Sequence, residues 1–468
     1  MAPPPPPVQD AVIGLIGMGE MGKMYAERLS KAGQCNRINV CDLPEKYDSL
    51  VEYCKGKERL VPMKDGHYVS RESDFIIYSV EAAFLDKVVA QYGPSTKVGA
   101  IVSGQTSVKA PERAAFEKYL PKDVNIVSIH SLHGPTVPPD GQALIIIKHR
   151  ASEEQVKFVQ DLLAPLKSRY VHLSYDEHDE VTANTQAVTH AAFLSMGTAW
   201  RCTGQFPWEL GRYIGGIEVV KINIALRIYA AKWHVYAGLA ILNPTAQKQI
   251  HQFSESATDL FKLMIGGKRE ELRKRVFDAR DFVFGSPNST SLNNGGGGGG
   301  GENGDGDNTP ILLSDKALDR FSIGQPPTPD SPAPPPNSHL ALLAMVDSWH
   351  MLKIRPFVHL QLAATPVFRF WIGVAEYLFR DEKRLEAAVQ AATGQGGGIA
   401  FSADDAEFVI AARGWSDTVR YGSFEAYRKR FEETRVFFEP RFEESRIANR
   451  DMFAFLAQEP IKPPPASQ

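Results

Sequence analysis

Two histidines and a serine stand where side chains could transfer a proton. His130 and His133 lie in the run Ser128-Ile129-His130-Ser131-Leu132-His133-Gly134-Pro135, which directly follows an apolar segment. Imidazole titrates near neutral pH and therefore serves well as a general base. Ser107 follows a second apolar segment. Ligands of α/β domains bind on loops at the carboxyl ends of strands, so we expect proton-transfer chemistry on these two loops.

Structural roles compete with these interpretations. His133 could pack against or cap the Gly-Pro turn that follows it. Thr106 or Ser107 could cap a helix that begins near Pro111. Lys109, which follows on the same loop, could reach a substrate or a nicotinamide. The chemical and the structural interpretations of this loop can both hold.

Polar side chains also recur at helical spacing in the second half of the chain. Thr182, Gln186 and His190 follow one another at intervals of four residues among apolar neighbours. A polar group on an otherwise apolar helix face needs a partner. Gln186 and His190 are therefore candidates for substrate contact, and a solvated helix face is the competing interpretation.

A second polar set surrounds an arginine. Asn223, Arg227 and His234 are spaced to share one face of a helix whose other residues are apolar. A guanidinium binds a carboxylate through two parallel hydrogen bonds. Arg227 therefore predicts a carboxylate-bearing substrate, with a structural ion pair as the alternative. Lys221 points away by about a third of a turn and is a further candidate.

A glycine-rich turn precedes all of these residues. Gly17, Gly19 and Gly22 form the pattern G-x-G-x-x-G between a predicted strand at residues 12–16 and a predicted helix that ends near Gly33. The glycines allow a tight turn, close approach of a pyrophosphate and close packing of helix on strand. The turn therefore predicts a dinucleotide cofactor. The whole motif would contact it: Gly17, Met18, Gly19, Glu20, Met21 and Gly22.

The second predicted strand bears on the identity of this cofactor. Asp42, at the end of that strand, would hold the ribose hydroxyls of NAD, whereas Lys46 could supply the cation that NADP needs. From these residues alone NAD is mildly favoured and the choice stays open. Ser79 and Val80, at the end of the strand predicted over residues 75–80, are further candidates for cofactor contact.

The elements that position these residues can be predicted from apolar patterning. Short apolar runs at residues 12–16, 38–41, 75–80, 98–102, 125–129, 143–147 and 170–173 predict strands. Helical patterns lie between them, so we predict a mostly parallel, doubly wound sheet of the Rossmann type. After residue 173 only helices are predicted, over residues 176–200, 217–242, 245–283 and 340–457. The fold class is therefore α/β followed by all-α.

These patterns divide the chain into domains. Residues 12–175 are the predicted dinucleotide-binding domain, and residues 176–284 and 339–459 the predicted helical substrate and dimerisation domain. Residues 1–11 and 460–468 are proline-rich and predict disordered tails. Residues 285–338 contain a run of glycines and Pro/Ser repeats, a composition too poor in apolar residues to fold alone. We predict a disordered insertion there, and a separate third domain after it is the alternative.

The composition excludes several classes of protein. The 468 residues are 43% hydrophobic and carry a net charge of −3, which predicts a globular protein without a nucleic-acid partner. The four cysteines form no CxxC pair, so we expect no metal site and reduced thiols in the cytoplasm. No apolar run approaches ~18 residues, and the first residues do not resemble a signal peptide, so no membrane association is expected.

Four sequence runs together resemble the fungal prephenate dehydrogenases. They are Gly14-Leu15-Ile16-Gly17-Met18-Gly19-Glu20-Met21-Gly22, Asp74-Phe75-Ile76-Ile77-Tyr78-Ser79-Val80-Glu81, Gly104-Gln105-Thr106-Ser107-Val108-Lys109 and Ile129-His130-Ser131-Leu132-His133-Gly134-Pro135. The resemblance covers residues 12–263 and extends to the C-terminal helices. It implies oxidation of prephenate at its C4 hydroxyl by hydride transfer to a nicotinamide. Loss of the ring carboxylate as CO2 then gives 4-hydroxyphenylpyruvate, on the route to tyrosine.

The resemblance also implies roles for individual residues. His130 matches the histidine that takes the proton of the C4 hydroxyl, and Ser107 a serine that orients both groups. Arg227 matches an arginine for the ring carboxylate, and His190 a histidine at or behind the substrate. The resemblance further implies NADP, where Asp42 alone suggested NAD, and homodimers that form through the helical domain.

Three rival functions share parts of this pattern. Arogenate dehydrogenase has the same chemistry and differs only around the side-chain end of the substrate. A non-catalytic NADP-binding regulator would keep the glycine turn but would not need His130 and Arg227. A hydroxyacid dehydrogenase of the 6-phosphogluconate type needs a lysine followed four residues later by asparagine, and Lys221 and Asn223 have the wrong spacing.

Overall fold

The chain divides into two compact units, Met1–Thr182 and Ala183–Gln468. The structure is a computed structural model that describes residues 4–204, 216–285, 337–362, 365–394 and 400–458, with the single residues Leu313, Leu318 and Ser322. The sequence predicts the change to the helical domain after residue 175. The boundary between the units lies after Thr182, because the intervening helix contacts the first unit.

The first unit is built around one sheet. Its described strands are β1 (Val12–Ile16), β2 (Arg37–Cys41), β3 (Leu60–Pro62), β4 (Phe75–Tyr78), β5 (Ile101–Gly104), β6 (Asn125–Ser131), β7 (Ala143–Arg150) and β8 (Arg169–His172). They lie in the order β3-β2-β1-β4-β5-β6-β7-β8, and all pairs are parallel except β6 with β7. The strand order reverses direction between β1 and β4, the place where such sheets bind ligands. The predicted mostly parallel sheet is confirmed.

Helices cover both faces of this sheet. They are α1 (Glu20–Ala32), α2 (Tyr47–Cys54), α3 (Gly66–Glu72), α4 (Ala82–Tyr92), α5 (Ala110–Tyr119), α6 (Glu153–Leu163) and α7 (Tyr175–Thr182). Successive strand residues serve opposite faces: Ile77 packs in the core that contains α1 and α6, and Ile76 in the core that contains α4 and α5. Burial on both sides explains why the strands read as continuous apolar runs.

Some element boundaries differ from the prediction. The edge strand β3 was not predicted, because it is short and ends in a proline. The strand predicted over residues 98–102 begins only at Ile101. Val8–Asp10 form a short 3-10 helix and Ala11 is fully buried, although the sequence predicts a disordered tail up to residue 11.

The second unit is helical throughout its described residues. A π-helix, Ala183–Ala187, leads into α8 (Val188–Thr203), α9 (Ile217–Ala230), α10 (Trp233–Leu242), α11 (Pro244–Ile265), α12 (Arg269–Phe284), α13 (Leu340–Met351), α14 (Pro356–Leu362), α15 (Pro366–Arg380), α16 (Glu382–Ala392), α17 (Ala400–Arg420), α18 (Phe424–Phe438) and α19 (Phe442–Gln458). Large aromatic side chains fill its core, with Phe193, Trp371 and Trp415 fully buried. The predicted helical second half is confirmed.

Three long predicted helices are interrupted in the structure. The helix predicted over residues 176–200 contains the π-helix, and the one predicted over 217–242 breaks after Ala230. The one predicted over 245–283 breaks at Gly266 and Gly267, where Gly267 has a φ of 65° that favours glycine. The break after Ala230 places His234 on a different helix from Asn223 and Arg227, so the predicted three-residue face is wrong.

The predicted insertion at residues 285–338 falls mostly outside the described residues. Two of its described members contradict a wholly disordered segment. Leu313 is 2% exposed and Leu318 is 1% exposed, and both belong to the hydrophobic core of the helical unit. The insertion therefore contributes to that core. The tail predicted over residues 460–468 also lies outside the described residues.

A helix that crosses a bilayer must be both long and apolar. None of the described helices combines enough length with enough apolar character to cross a membrane.

Candidate active site

The glycine-rich turn joins β1 to α1 in a conformation that suits a dinucleotide. Gly17 has a φ of 101°, and a Cβ there would lie 2.4 Å from the carbonyl oxygen of Ser79. A Cβ on Gly22 would lie 2.2 Å from the carbonyl oxygen of Gly17. Among the described residues no side chain caps α1 at Gly19. The first N–H groups of α1 can therefore bind an anion.

The other predicted cofactor residues surround this turn. Met18 is buried, while Glu20 and Met21 form the exposed start of α1. The backbone N–H of Ser79 donates to the carbonyl oxygen of Ile16 at 2.8 Å, which holds the end of β4 against the turn. Val80 follows Ser79 and is half-buried.

The end of β2 carries an acidic and a basic group side by side. Asp42 Oδ1 accepts the backbone N–H of Leu43 at 2.8 Å. Lys46 Nζ lies 3.7 Å from Asp42 Oδ2, and the lysine side chain is 56% exposed. A carboxylate alone would repel the 2′-phosphate of NADP, whereas the accessible ammonium beside it can attract that phosphate. Together with the open start of α1, this donor set fits NADP.

His130 lies within β6 and not on the loop that the sequence predicts. The strand continues to Ser131, where it pairs antiparallel with β7. His130 is 6% exposed, and its Nδ1 lies 2.8 Å from Nε2 of His178. No hydrogen bond to its Nε2 occurs among the described residues. Burial lowers the pKa of both imidazoles well below 6.5, so both are neutral at pH 7.

His178 is in turn bonded to a carboxylate. Its Nδ1 lies 2.9 Å from Asp179 Oδ1. Asp179 also accepts the backbone N–H groups of Lys109 and Ala110, each at 2.7 Å, and so caps the start of α5. The sequence predicted that Thr106 or Ser107 would cap this helix. That prediction is wrong, because the cap comes from a distant carboxylate.

Lys109 lies beneath this site and is fully buried. Its Nζ donates to Glu112 at 2.9 Å, to Ser128 Oγ at 3.1 Å and to the carbonyl oxygen of Ile129 at 2.8 Å. Glu112 also accepts from Thr106 Oγ1 at 2.6 Å. The expectation that Lys109 could reach a substrate is wrong, because its ammonium is enclosed and satisfied by these protein groups.

The two remaining candidates of the first unit lie on turns. Ser107 is half-buried between β5 and α5. His133 Nδ1 donates to the carbonyl oxygen of Gly134 at 2.9 Å, which fits the structural alternative that it caps the following turn. Burial lowers the pKa of His133.

In the helical unit, Gln186 and His190 keep unpaired polar atoms. Gln186 lies in the π-helix, a feature often found at functional sites. Its Nε2 and the Nδ1 of His190 are buried without a hydrogen-bond partner among the described residues. Burial lowers the pKa of His190 to about 4. The His190 ring packs edge-on against Tyr236 at 4.7 Å between centroids.

Arg227 and Lys221 lie on α9 in different surroundings. Arg227 is half-buried, and burial lowers the pKa of its guanidinium, an effect that nearby Tyr236 opposes. Lys221 is buried, and its Nζ lies 2.5 Å from Glu218 Oε1. The ammonium of Lys221 therefore already has a carboxylate partner from its own helix.

Sequence reasoning missed His178, Asp179 and Glu112. Neither of the first two pairs locally with His130, since 48 residues separate His178 from it. They belong to a helix start rich in acidic residues, which is typical of a solvated surface. The one usable signal was an unusual lysine and glutamate close together on an otherwise apolar loop and helix.

Two family models match the chain. Residues 12–103 match the model described as "NADP oxidoreductase coenzyme F420-dependent". Residues 187–458 match a model described as a "6-phosphogluconate dehydrogenase C-terminal domain". With the observed sheet and helices, these matches define an oxidoreductase with a Rossmann-type domain followed by a helical domain.

Relatives cover nearly the whole chain. The probable prephenate dehydrogenase [NADP(+)] of Schizosaccharomyces pombe is 52% identical over 95% of this chain and 97% of that protein. The prephenate dehydrogenase [NADP(+)] of Saccharomyces cerevisiae is 49% identical over 94% of this chain and 93% of that protein. A crystal structure of prephenate dehydrogenase from Aquifex aeolicus aligns at 18% identity, with a TM-score of 0.45, over 56% of this chain and 95% of that one. On the two fungal relatives, the chain belongs to the prephenate dehydrogenase family.

Proposed function

We propose that the protein is an NADP-dependent prephenate dehydrogenase of L-tyrosine biosynthesis. The reaction oxidises the C4 hydroxyl of prephenate, releases the ring carboxylate as CO2 and gives 4-hydroxyphenylpyruvate. The observation that carries the proposal is His130, a neutral imidazole that is held by His178 and keeps its Nε2 open. Near-complete similarity to two proteins named prephenate dehydrogenase [NADP(+)] supports the choice of substrate and cofactor.

The residues of the first unit supply the acid–base chemistry. NADP, when bound, accepts the hydride that leaves C4. His130 Nε2 accepts the hydrogen bond of the C4 hydroxyl, takes its proton, and returns it to the phenol oxygen as the ring becomes aromatic. Ser107 orients the hydroxyl and the imidazole. The start of α1 and Lys46 hold the pyrophosphate and the 2′-phosphate of the cofactor.

The residues of the helical unit are assigned to substrate binding. Arg227 pairs with the ring carboxylate, because a partly desolvated guanidinium binds a carboxylate strongly. Gln186 and His190 offer the buried, unpaired nitrogen atoms described above to the substrate's oxygens. His133 and Lys221 complete the proposed set, although each already has a protein partner.

The decisive experiment is a turnover assay with purified protein. Nicotinamide reduction is followed with prephenate and NADP, then with NAD, then with arogenate in place of prephenate. We expect turnover with prephenate that is faster with NADP than with NAD. Turnover with arogenate alone would move the substrate, and cofactor binding without any turnover would favour the non-catalytic regulator.

A histidine pair tests the chemical role within this assay. His130→Ala should lower kcat by about 10²–10⁴-fold, the usual contribution of a general base, with NADP binding unchanged. His172→Ala is the matched control, because His172 is exposed at the end of β8. Equal activity of the two variants would remove His130 from the reaction.

We also propose that the chain forms a homodimer through its helical domain (residues 176–284 and 339–459). Large apolar side chains on described helices of that domain are exposed, among them Ile410, Tyr421 and Val436. Light scattering should give about twice the 51.7 kDa chain mass, and a monomer mass would reject the dimer. The four free cysteines suit a reducing compartment, so we propose the cytoplasm, which microscopy of a fluorescent fusion can check.

A further inference from the structure

A chain of hydrogen bonds leads from His130 to a carboxylate at the start of α5. His130 Nδ1 lies 2.8 Å from His178 Nε2, and His178 Nδ1 lies 2.9 Å from Asp179 Oδ1. Both imidazoles are buried, and Asp179 is nearly so. Asp179 is further bonded by the backbone N–H groups of Lys109 and Ala110. The three side chains therefore have little freedom to change partners.

The chemistry of the last group fixes the direction of every bond in the chain. An ionised carboxylate can only accept hydrogen bonds, so His178 must carry its proton on Nδ1. The Nε2 of this neutral His178 then has a lone pair and must accept from His130. His130 consequently carries its proton on Nδ1, and its Nε2 has the lone pair. This Nε2 is the atom that a hydroxyl proton would reach.

The surroundings favour this arrangement of charges. The ammonium of buried Lys109 lowers the pKa of His178 further, after the larger effect of burial, so His178 stays neutral. Burial raises the pKa of Asp179, while the two N–H groups of Lys109 and Ala110 and the Lys109 charge oppose that rise. The carboxylate thus receives compensation from a helix start and from a cation that the proposed chemistry does not itself use.

We propose that Asp179 and His178 are positioning residues that set the tautomer of His130 and keep its Nε2 as the proton acceptor. The catalytic consequence rests on the proposed function, because it requires His130 to act as the base. The tautomer itself can be observed without any substrate. The competing explanation is that Asp179 only caps α5 and that His178 only fills space.

Asp179→Asn separates these explanations. An asparagine can still accept a backbone N–H through its oxygen, but its NH2 group would donate to His178 Nδ1. His178 would then donate to His130, and His130 would carry its proton on Nε2 and lose its function as a base. We expect kcat to fall by about 10²–10⁴-fold, as for a wrong tautomer in a serine protease triad. The KM for prephenate and the Kd for NADP should stay within about 3-fold, because no substrate contact is removed.

A neighbouring carboxylate provides the matched control. Asp176 lies on the same helix α7, its side chain is 91% exposed, and its ion pair with Arg113 is at 3.5 Å. Asp176→Asn makes the same change of charge and should leave kcat unchanged. His178→Gln keeps an oxygen that can accept from His130 Nδ1, so it should retain more activity than Asp179→Asn. Equal kcat in Asp179→Asn and Asp176→Asn would overturn the proposal.

Nuclear magnetic resonance of ¹⁵N-histidine protein reads the tautomer directly. In the wild type, His130 should show a protonated Nδ1 and an unprotonated Nε2, and in Asp179→Asn the reverse. A wild-type His130 protonated on Nε2 would overturn the proposal even if the variants fail to fold. If the expected tautomer is seen but prephenate is not turned over, the proposed function fails while the assignment of His178 and Asp179 stands.

Discussion

At the scale of single residues, burial decides the pH at which His130 can act. It lowers the pKa of His130 well below 6.5, and the charges of His178 and Lys109 lower it further. The neutral form is the base, so activity is lost only when the pH falls through this depressed pKa. We expect kcat/KM for prephenate to stay constant from pH 8 to below pH 6.5 and to decline at lower pH.

The check on this prediction is a pH–rate profile with stable protein. Enzyme incubated at each pH and returned to pH 7.5 must recover full activity, so that unfolding is excluded. A decline in kcat/KM that begins above pH 7 would contradict the argument from burial. It would mean that water or a bound ligand restores the ordinary pKa of the imidazole.

Lys46 determines the choice of cofactor in the same local way. It is the accessible cation next to Asp42, so Lys46→Ala should raise the KM for NADP about 10-fold, equivalent to ~1.4 kcal/mol. The KM for NAD, which has no 2′-phosphate, should hardly change. Lys55→Ala is the control, because Lys55 is equally exposed but pairs with Glu52 at the far end of α2. An unchanged KM for NADP would place the 2′-phosphate elsewhere.

The sequence predicts those site residues whose signal is local. The glycine turn, Asp42 and His130 stand next to their own strands, so a short window reveals them. His178 and Asp179 could not be predicted in this way, because their partners are strand β6 and the start of α5. Their functional surroundings arise only when the chain folds, and their local composition indicates solvent instead.

At the scale of elements, the enclosed ion pair of Lys109 and Glu112 joins α5 to the underlying strands. Lys109→Met would leave the Glu112 carboxylate buried without its cation, and such a loss costs on the order of 3–5 kcal/mol. We therefore expect a large decrease in the urea midpoint of unfolding. The double variant Lys109→Met/Glu112→Leu should recover part of the loss, because it removes both charges together.

An exposed ion pair shows what the buried location contributes. Lys157 pairs with Asp161 on α6, where both side chains are solvent-accessible. Lys157→Met should change stability by no more than about 1 kcal/mol. Similar midpoints for Lys109→Met and Lys157→Met would show that Lys109 is not the structural residue that its enclosure indicates.

Helix length is the feature of the elements that the sequence predicts least well. The apolar pattern continues across the break between α9 and α10, and no glycine or proline marks it. The π-helix at Ala183–Ala187 likewise has no sequence signal, since it differs from an α-helix only by one additional residue per turn. Strand positions were predicted more closely, because strands buried on both faces have sharp apolar limits.

At the scale of the whole molecule, the described part of the insertion changes what its removal should do. Composition alone predicts that the whole segment can be deleted without loss of fold. Leu313 and Leu318, however, are buried in the helical core. Replacing a buried leucine by alanine costs about 2–5 kcal/mol. The segment should therefore contain a dispensable glycine-rich part and a part that stabilises the helical unit.

Deletion of residues 286–308 removes the glycine run and keeps both leucines, so it should leave the melting temperature nearly unchanged, because shortening a long loop has a small entropic effect. Leu313→Ala/Leu318→Ala in the full chain should lower the melting temperature of the helical unit clearly. Val436→Ala is the control, since Val436 is 61% exposed on α18. If the double leucine variant melts like this control while the glycine deletion is destabilising, the two leucines contribute nothing and the glycine run is the structural part. The opposite order would show that a low-complexity segment can carry two of the residues that hold a helical core together.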